Sequence, residues 1–385
     1  LKKIRTTVSV AAVILIACCL RAPFTGTGSI VGMIQEELSL SSGSAGLLTS
    51  IPLLTFGLLS ACMGLIGRKY GAGRVMVTGA GLMIAGILIR SFLGTAGLFA
   101  GTVILGGGIV IGNVLVPAVV KDFFPERSGE MTGIYTTVMS VMSGIAGGVS
   151  VPLAECAGWR TALAVWAAPA VLAMMSWIPC RRIRLCEGAR SSTFSAVLRS
   201  PVAWAAGVYM GLQSLIFYSF VAWFATILQS RGFSLDAAGF YNSLYLFAGL
   251  IGSFAAPVIA ERCVNKVRFG GFLGILYGTG MLFLIFGTGA AGVWMVILFC
   301  GFCQGACFSY SMLMFVFHTE SASAAALMSG FGQSVGYLIA CVGPVLFGAI
   351  YDAAGRWEPA MWIMLAVCGV LAVLGAYIGQ EKYVG

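Results

Sequence analysis

The 385-residue sequence predicts an all-α membrane protein of twelve transmembrane helices in two pseudo-symmetric six-helix bundles. Three observations carry that expectation. Only 9% of the residues are Asp, Glu, Lys or Arg and 59% are hydrophobic, against about 25% charged in a soluble domain, so the charges cannot coat a water-facing globule. The apolar residues fall in runs near or above the roughly 20 that a helix needs to cross a bilayer. The second half of the chain also repeats features of the first. A soluble enzyme, a nucleic-acid module and a disordered tail are thereby excluded.

Apolar stretches between polar punctuation place the spans near 8–34, 43–66, 75–94, 96–120, 131–154, 160–179, 201–228, 236–260, 268–288, 290–317, 322–350 and 358–378. The first follows Lys2, Lys3 and Arg5 in the manner of a signal peptide, and Leu15-Ile16-Ala17-Cys18 resembles a lipoprotein cleavage box. Its apolar character continues past Arg21 to Ile34, a full span, so it is read as the first transmembrane helix. Pro23, Gly26, Gly28 and Gly32 predict a break in that helix. Broken helices are tolerated where protein or water covers the freed backbone, so a bend beside a cavity and glycines for tight packing both fit. The second span ends on Arg68 and Lys69, and the third carries Arg90 near its outer end, where snorkelling is expected. Beyond the sixth span, Arg181 to Arg199 is the longest polar stretch. It divides the chain into a bundle at 1–179, a cytoplasmic linker at 180–200 and a bundle at 201–385.

The seventh to twelfth spans echo the first six. Met131-Thr132-Gly133 matches Met328-Ser329-Gly330 at an offset of 197, which also aligns Gly108 with Gly305, Glu155 with Asp352 and Gly158 with Gly355. Ala45-Gly46 matches Ala238-Gly239 at an offset of 193. Parallel six-helix repeats mark transporters that rock around a midplane site.

Net charge is +9, and its distribution is a topology signal that implies no nucleic-acid partner. Of 22 Lys and Arg, Arg90, Arg160, Arg231 and Arg356 fall on one side, Arg21 lies within the first span, and the rest fall on the other side. The positive-inside rule then makes both termini cytoplasmic in a bacterial inner membrane. The twelve cysteines sit mostly within spans as small buried hydrophobes. Cys300, Cys303 and Cys307 share a helical face, which a soft metal could use, but packing is the better reading. No metal or cofactor is expected.

The loop Gly64-Leu65-Ile66-Gly67-Arg68-Lys69-Tyr70-Gly71-Ala72-Gly73-Arg74 resembles the cytoplasmic motif of the major facilitator superfamily, with Arg68 where an Asp is usual. Pro257-Val258-Ile259-Ala260-Glu261-Arg262 keeps the acid in the second half. Segments 20–34, 112–137, 211–228 and 330–344 resemble the narrower cyanate permease family, which includes nitroimidazole transporters. That resemblance implies a transporter of a small solute and leaves the solute open.

Arg21 stands about 13 residues into its helix, roughly 20 Å at 1.5 Å per residue. All 13 Asp and Glu fall toward one membrane face or the other, so no acid is expected at its depth. A central Arg costs about 2.5–3.5 kcal/mol on insertion scales and should face a cavity or partner. A substrate anion would supply the missing charge to its planar donor fork; a structural Arg bonded to carbonyls freed by the break is the competing reading. Repeat alignment sets Gln213 or Ser214 opposite Arg21, Tyr310 opposite Asn113 and Gln333 opposite Thr136. The resemblance implies a cavity lined by spans 1, 2, 4, 5, 7, 8, 10 and 11. The candidate substrate-binding residues are therefore Arg21, Asn113, Tyr135, Gln213, Tyr218, Asn242, Tyr245, Tyr310 and Gln333. Each of the polar ones could instead be an interhelical hydrogen bond. His318, the repeat mate of Lys121, is read as an interfacial histidine rather than a proton relay.

The reading is a non-enzymatic, secondary active or facilitative transporter of a small monovalent anion, cyanate-like or a compact organic acid. It is expected to be monomeric in the bilayer, with coupling to protons or a counter-ion left open. Efflux of neutral or amphipathic drug-like compounds and a non-transporting receptor are the alternatives. No Walker A sequence, HExxH or GxSxG is present to suggest ATP-driven or hydrolytic chemistry.

Overall fold

The computed structural model describes residues 2–40, 42–186, 193–263 and 265–380. Glu187, Arg190, Glu381 and Lys382 lie outside them, as do the side chains of Lys2, Lys3, Arg5 and Asp236. Every regular element among the described residues is helical. The first half comprises α1 (Lys2–Cys19), α2 (Ala22–Ser29), α3 (Val31–Glu37), α4 (Ser42–Tyr70), α5 (Ala72–Phe92), α6 (Gly94–Phe123), α7 (Ser128–Ala164) and α8 (Ala167–Trp177). A short α9 (Phe194–Arg199) leads to α10 (Pro201–Ser230), α11 (Leu235–Arg262), α12 (Lys266–Phe286), α13 (Gly289–Val296), α14 (Phe302–Phe317), α15 (Ala322–Ala340), α16 (Val342–Ala354) and α17 (Glu358–Ile378). A π turn, Ile297–Gly301, joins α13 to α14.

Among the described residues, eleven segments are long and apolar enough to cross a membrane, and one of them, Pro125–Trp177, is 53 residues long. Gly158 divides it: at φ 80° and ψ 152° the chain turns back, so that segment holds two spans and the total is twelve. Its repeat mate Gly355 has φ 67° and closes α16. Both positions need positive φ, which glycine adopts without the clash a Cβ brings. The repeat pair Gly108 and Gly305 serves close packing instead. A Cβ on Gly108 would lie 2.6 Å from the Gly79 carbonyl oxygen, and one on Gly305 would strike the Gly249 carbonyl. Helices in lipid gain little from hydrophobic burial, so such backbone-to-backbone approaches hold them together.

The halves lock at the end where α1 begins and α17 stops. There α4 packs on α15 and α7 on α11. The Ala61 N–H donates to Ser334 Oγ (2.9 Å), Ser309 Oγ to Thr136 Oγ1 (2.9 Å), and Lys121 Nζ to the Val316 carbonyl (3.0 Å). Glu261 of α11 accepts from the Gly129 N–H (2.8 Å), the Glu130 N–H (3.3 Å) and Ser128 Oγ (3.3 Å). Its carboxylate thus caps α7 across the halves, where the helix dipole favours negative charge. The start of α15 is served differently. Ser321 caps it, and the Ser323 N–H donates to the carbonyl of Cys186 (3.2 Å), whose own N–H donates to Asp122 Oδ1 (3.3 Å). The linker between the halves therefore straps this end shut.

One expectation needs correction. Arg90 does not snorkel: it is 1% exposed, donating from one nitrogen to Thr27 Oγ1 (2.9 Å) and from another to the Pro23 carbonyl (2.9 Å). The break beside it leaves carbonyl and hydroxyl groups on α2 that a two-pronged guanidinium can hold, and these outweigh the pull of the nearby interface. His318 forms the C-cap of α14. It is 3% exposed, with Nε2 2.7 Å from the Ile378 carbonyl oxygen, because the end of α17 covers it.

Candidate transport pocket

The first span is broken where Pro23 and the glycines predicted. Helix α1 stops at Cys19, Arg21 has φ −125° and ψ −38°, and α2 begins at Ala22 with Pro23 in its first turn. Proline has no N–H to donate, so the first turn of a helix tolerates it. Thr25 Oγ1 bonds the Arg21 carbonyl (3.2 Å) and the Ser143 carbonyl of α7 (3.3 Å), while Arg90 holds Pro23 and Thr27. A Cβ on Gly26 would meet Ser150 Oγ at 2.6 Å and Trp166 Nε1 at 3.1 Å, whereas Gly28 and Gly32 face open space. Tight packing therefore accounts for Gly26, and the break itself is covered by protein.

The break aims Arg21 at a pocket whose other walls come from the second half. Arg21, Gln213, Ser214, Phe217, Tyr218, Gln304, Phe308 and Tyr337 line it, and in this arrangement it encloses about 10 Å³, room for about one water. Helical periodicity explains the lining. Gln213 with Phe217, Ser214 with Tyr218, and Gln304 with Phe308 are four residues apart on α10 and α14, hence on shared faces.

The Arg21 guanidinium carbon lies 4.4 Å from the centre of the Phe308 ring and 5.8 Å from that of Phe217. No Asp or Glu lines the pocket, and among the described residues no ion pair involves Arg21. A cation–π contact contributes about 0.5–2 kcal/mol, and the partly buried guanidinium keeps some contact with solvent. The rings orient the guanidinium without neutralising it. Around it stand amide and hydroxyl groups: Gln213 is 1% exposed and donates to Ser214 Oγ (2.6 Å), and Gln304 Nε2 reaches the Leu246 carbonyl (3.4 Å). Such a pocket can give a monoanion one charge partner, several neutral donors and aromatic walls.

Of the sequence candidates, the structure brings Arg21, Gln213 and Tyr218 together. Gln333 lies one turn from Tyr337 toward the locked end. Its amide donates to the Asn113 carbonyl (2.8 Å) and Ser329 Oγ (2.9 Å), so Gln333 and Asn113 tie α15 to α6. Tyr310 points away, its hydroxyl donating toward the Lys266 (3.4 Å) and Gly375 (3.5 Å) carbonyls. At about 100° per residue it sits some 200° around α14 from Phe308. Tyr245 is buried against Phe220 and Phe224 with ring centres 5.0 and 5.8 Å away. Tyr135 is buried and Asn242 half-buried, and neither lines the pocket. Sequence reasoning missed Gln304, Phe308, Phe217 and Tyr337. Gln304 was legible as an amide within an apolar span; the three aromatics were indistinguishable from ordinary lipid-facing or core rings.

The family model described as Major Facilitator Superfamily matches residues 13–344. A relative from Bacillus subtilis (strain 168), described as the uncharacterized transporter YycB, is 37% identical over 100% of this chain and 96% of its own. A 2-nitroimidazole transporter of Escherichia coli (strain K12) is 33% identical, covering 97% of this chain and 96% of its own. The cyanate transport protein CynX of the same organism is 24% identical over 93% of each chain. The crystal structure of the E. coli fucose:proton symporter FucP (N162A) superposes with a TM-score of 0.75 over 98% of this chain and 99% of its own; at 14% identity it speaks to fold alone.

Proposed function

We propose that this chain, which belongs to the Major Facilitator Superfamily, carries a small monovalent anion across the bacterial inner membrane by alternating access, with Arg21 as the recognition cation. One observation carries the reading: Arg21 faces a compact pocket that holds no carboxylate to pair with it. Gln213, Ser214, Tyr218, Gln304 and Tyr337 would supply hydrogen bonds, and Phe217 and Phe308 would hold the guanidinium in place. The bundles at 1–179 and 201–385 would rock about this pocket as a monomer, with both termini and the 180–200 linker in the cytoplasm. The relative named for cyanate transport supports a small anionic solute.

A second reading is transport of a neutral heteroaromatic or drug-like compound. The relative named for 2-nitroimidazole transport and the aromatic walls favour it. Arg21 separates the two. Uptake into proteoliposomes and thermal-shift titration should show that Arg21→Ala abolishes saturable anion uptake and stabilisation while leaving the melting temperature without ligand nearly unchanged. Arg21→Lys should bind weakly, because it keeps the charge and loses the fork. Gln213→Ala should cost about 1 kcal/mol, a several-fold loss of affinity. Anion transport of unchanged affinity in Arg21→Ala would put the neutral solute ahead.

A further inference from the structure

We infer that this protein is an obligatory anion exchanger, in which the empty carrier does not return and a second monoanion is the counter-ligand. The inference rests on the anion reading of the Arg21 pocket and deepens it. Arg21 belongs to the first half, while the walls it faces, Phe308 and Phe217 among them, belong to the second. To expose this pocket to the other side, the halves must pass through a state in which both ends are shut over it. In that state water leaves the Arg21 guanidinium, whose fork of donors then meets only the neutral groups of the pocket.

The other lining residues are neutral: two glutamines, a serine, two phenylalanines and two tyrosines. A buried charge without a partner is the expensive case, and aromatic rings offset only part of it. A bound monoanion cancels the charge, so the loaded carrier can cross a barrier that holds the empty one back. A proton cannot take the anion's place as the return ligand. No carboxylate or histidine lines the pocket to receive it, and a proton would add to the positive charge instead of cancelling it.

The test uses the full chain in proteoliposomes with the membrane potential clamped by potassium and valinomycin. The vesicles contain either the sodium salt of the transported monoanion or sodium gluconate, a larger anion that serves as the unmatched filling. The probes are 14C-labelled cyanate, formate and acetate. With uptake into protein-free vesicles subtracted, initial uptake into vesicles holding the matching anion should exceed uptake into gluconate vesicles by at least about tenfold, equivalent to about 1.4 kcal/mol of barrier, and an imposed pH gradient should not change this carrier-mediated part. Equal initial rates in the two loadings, or pH-driven accumulation in gluconate vesicles beyond that in protein-free vesicles, would overturn the exchange. The anion reading has its own readout on the same preparation: thermal stabilisation by one of the three salts that Arg21→Ala abolishes. Stabilisation with equal uptake rates sinks only the exchange. Neither stabilisation nor saturable uptake with any of the three sinks both.

Discussion

Glu261→Gln tests how the halves are held together. The Glu261 carboxylate sits on α11 and accepts from Gly129, Glu130 and Ser128 at the first turn of α7, in the other half. These contacts exist only while that end is closed, so any loss falls on the closed state alone. Hydrogen bonds to a charged group contribute about 1.5–3 kcal/mol each before competing costs, and a carboxylate at a helix N-terminus gains about 0.3–2 kcal/mol from the dipole. Glutamine keeps one acceptor oxygen, so the 2.8 Å bond to Gly129 can persist, while the charge and the second acceptor are lost. The net effect should be about 1–2 kcal/mol, a factor of 5–30 in the ratio of closed to open states. Ser253→Cys provides the readout: Ser253 is 1% exposed at the same interface, where its carbonyl accepts from Thr136 Oγ1 (3.2 Å). Its alkylation rate in membranes should rise by that factor when Glu261→Gln is added, and by an intermediate amount with Glu261→Asp. An unchanged rate would refute the claim that Glu261 latches the halves, and would transfer that role to the linker strap at Cys186.

Arg90→Lys should lower the melting temperature through a loss of about 1–2 kcal/mol, because a single ammonium cannot match the fork that holds both Thr27 and Pro23; unfolding in detergent measures it, and an unchanged midpoint would show that Arg90 is dispensable for the break. Glu37 accepts from Arg160 (2.5 Å) and from Trp159 Nε1 (2.7 Å), and these bonds, Arg160's first, hold its carboxyl below the usual range. A depressed carboxyl contributes stability above its unfolded value of about 4.3 and loses it as pH falls through the folded value. Trp159 fluorescence should therefore change below about pH 4.3, and Glu37→Gln should lack that transition. Cysteines introduced at Glu36 and Arg231 should label from outside intact cells, and one at Arg68 should be protected; the reverse pattern would invert the topology.

The membrane class, the span count, the repeat and the break after Arg21 were legible in the sequence because each depends on local pattern. Apolar run length reports span number, Pro and Gly report interruptions, and the equivalence of Gly158 and Gly355 survived as a shared need for positive φ. The depth of Arg21 could likewise be counted along a helix. Which face of a helix meets which neighbour is not a local property. Tyr310 and Phe308 are two residues apart on one span, yet one bonds carbonyls of α12 and α17 and the other stands over Arg21. Arg90 looked like a snorkelling residue because position along the span was visible and the carbonyl it would find was not. Sequence by itself determined the kind of molecule and the place of Arg21 along its span. Tertiary structure alone decided what that charge faces, because a side chain's partners come from helices hundreds of residues away, and their rotation is set by packing.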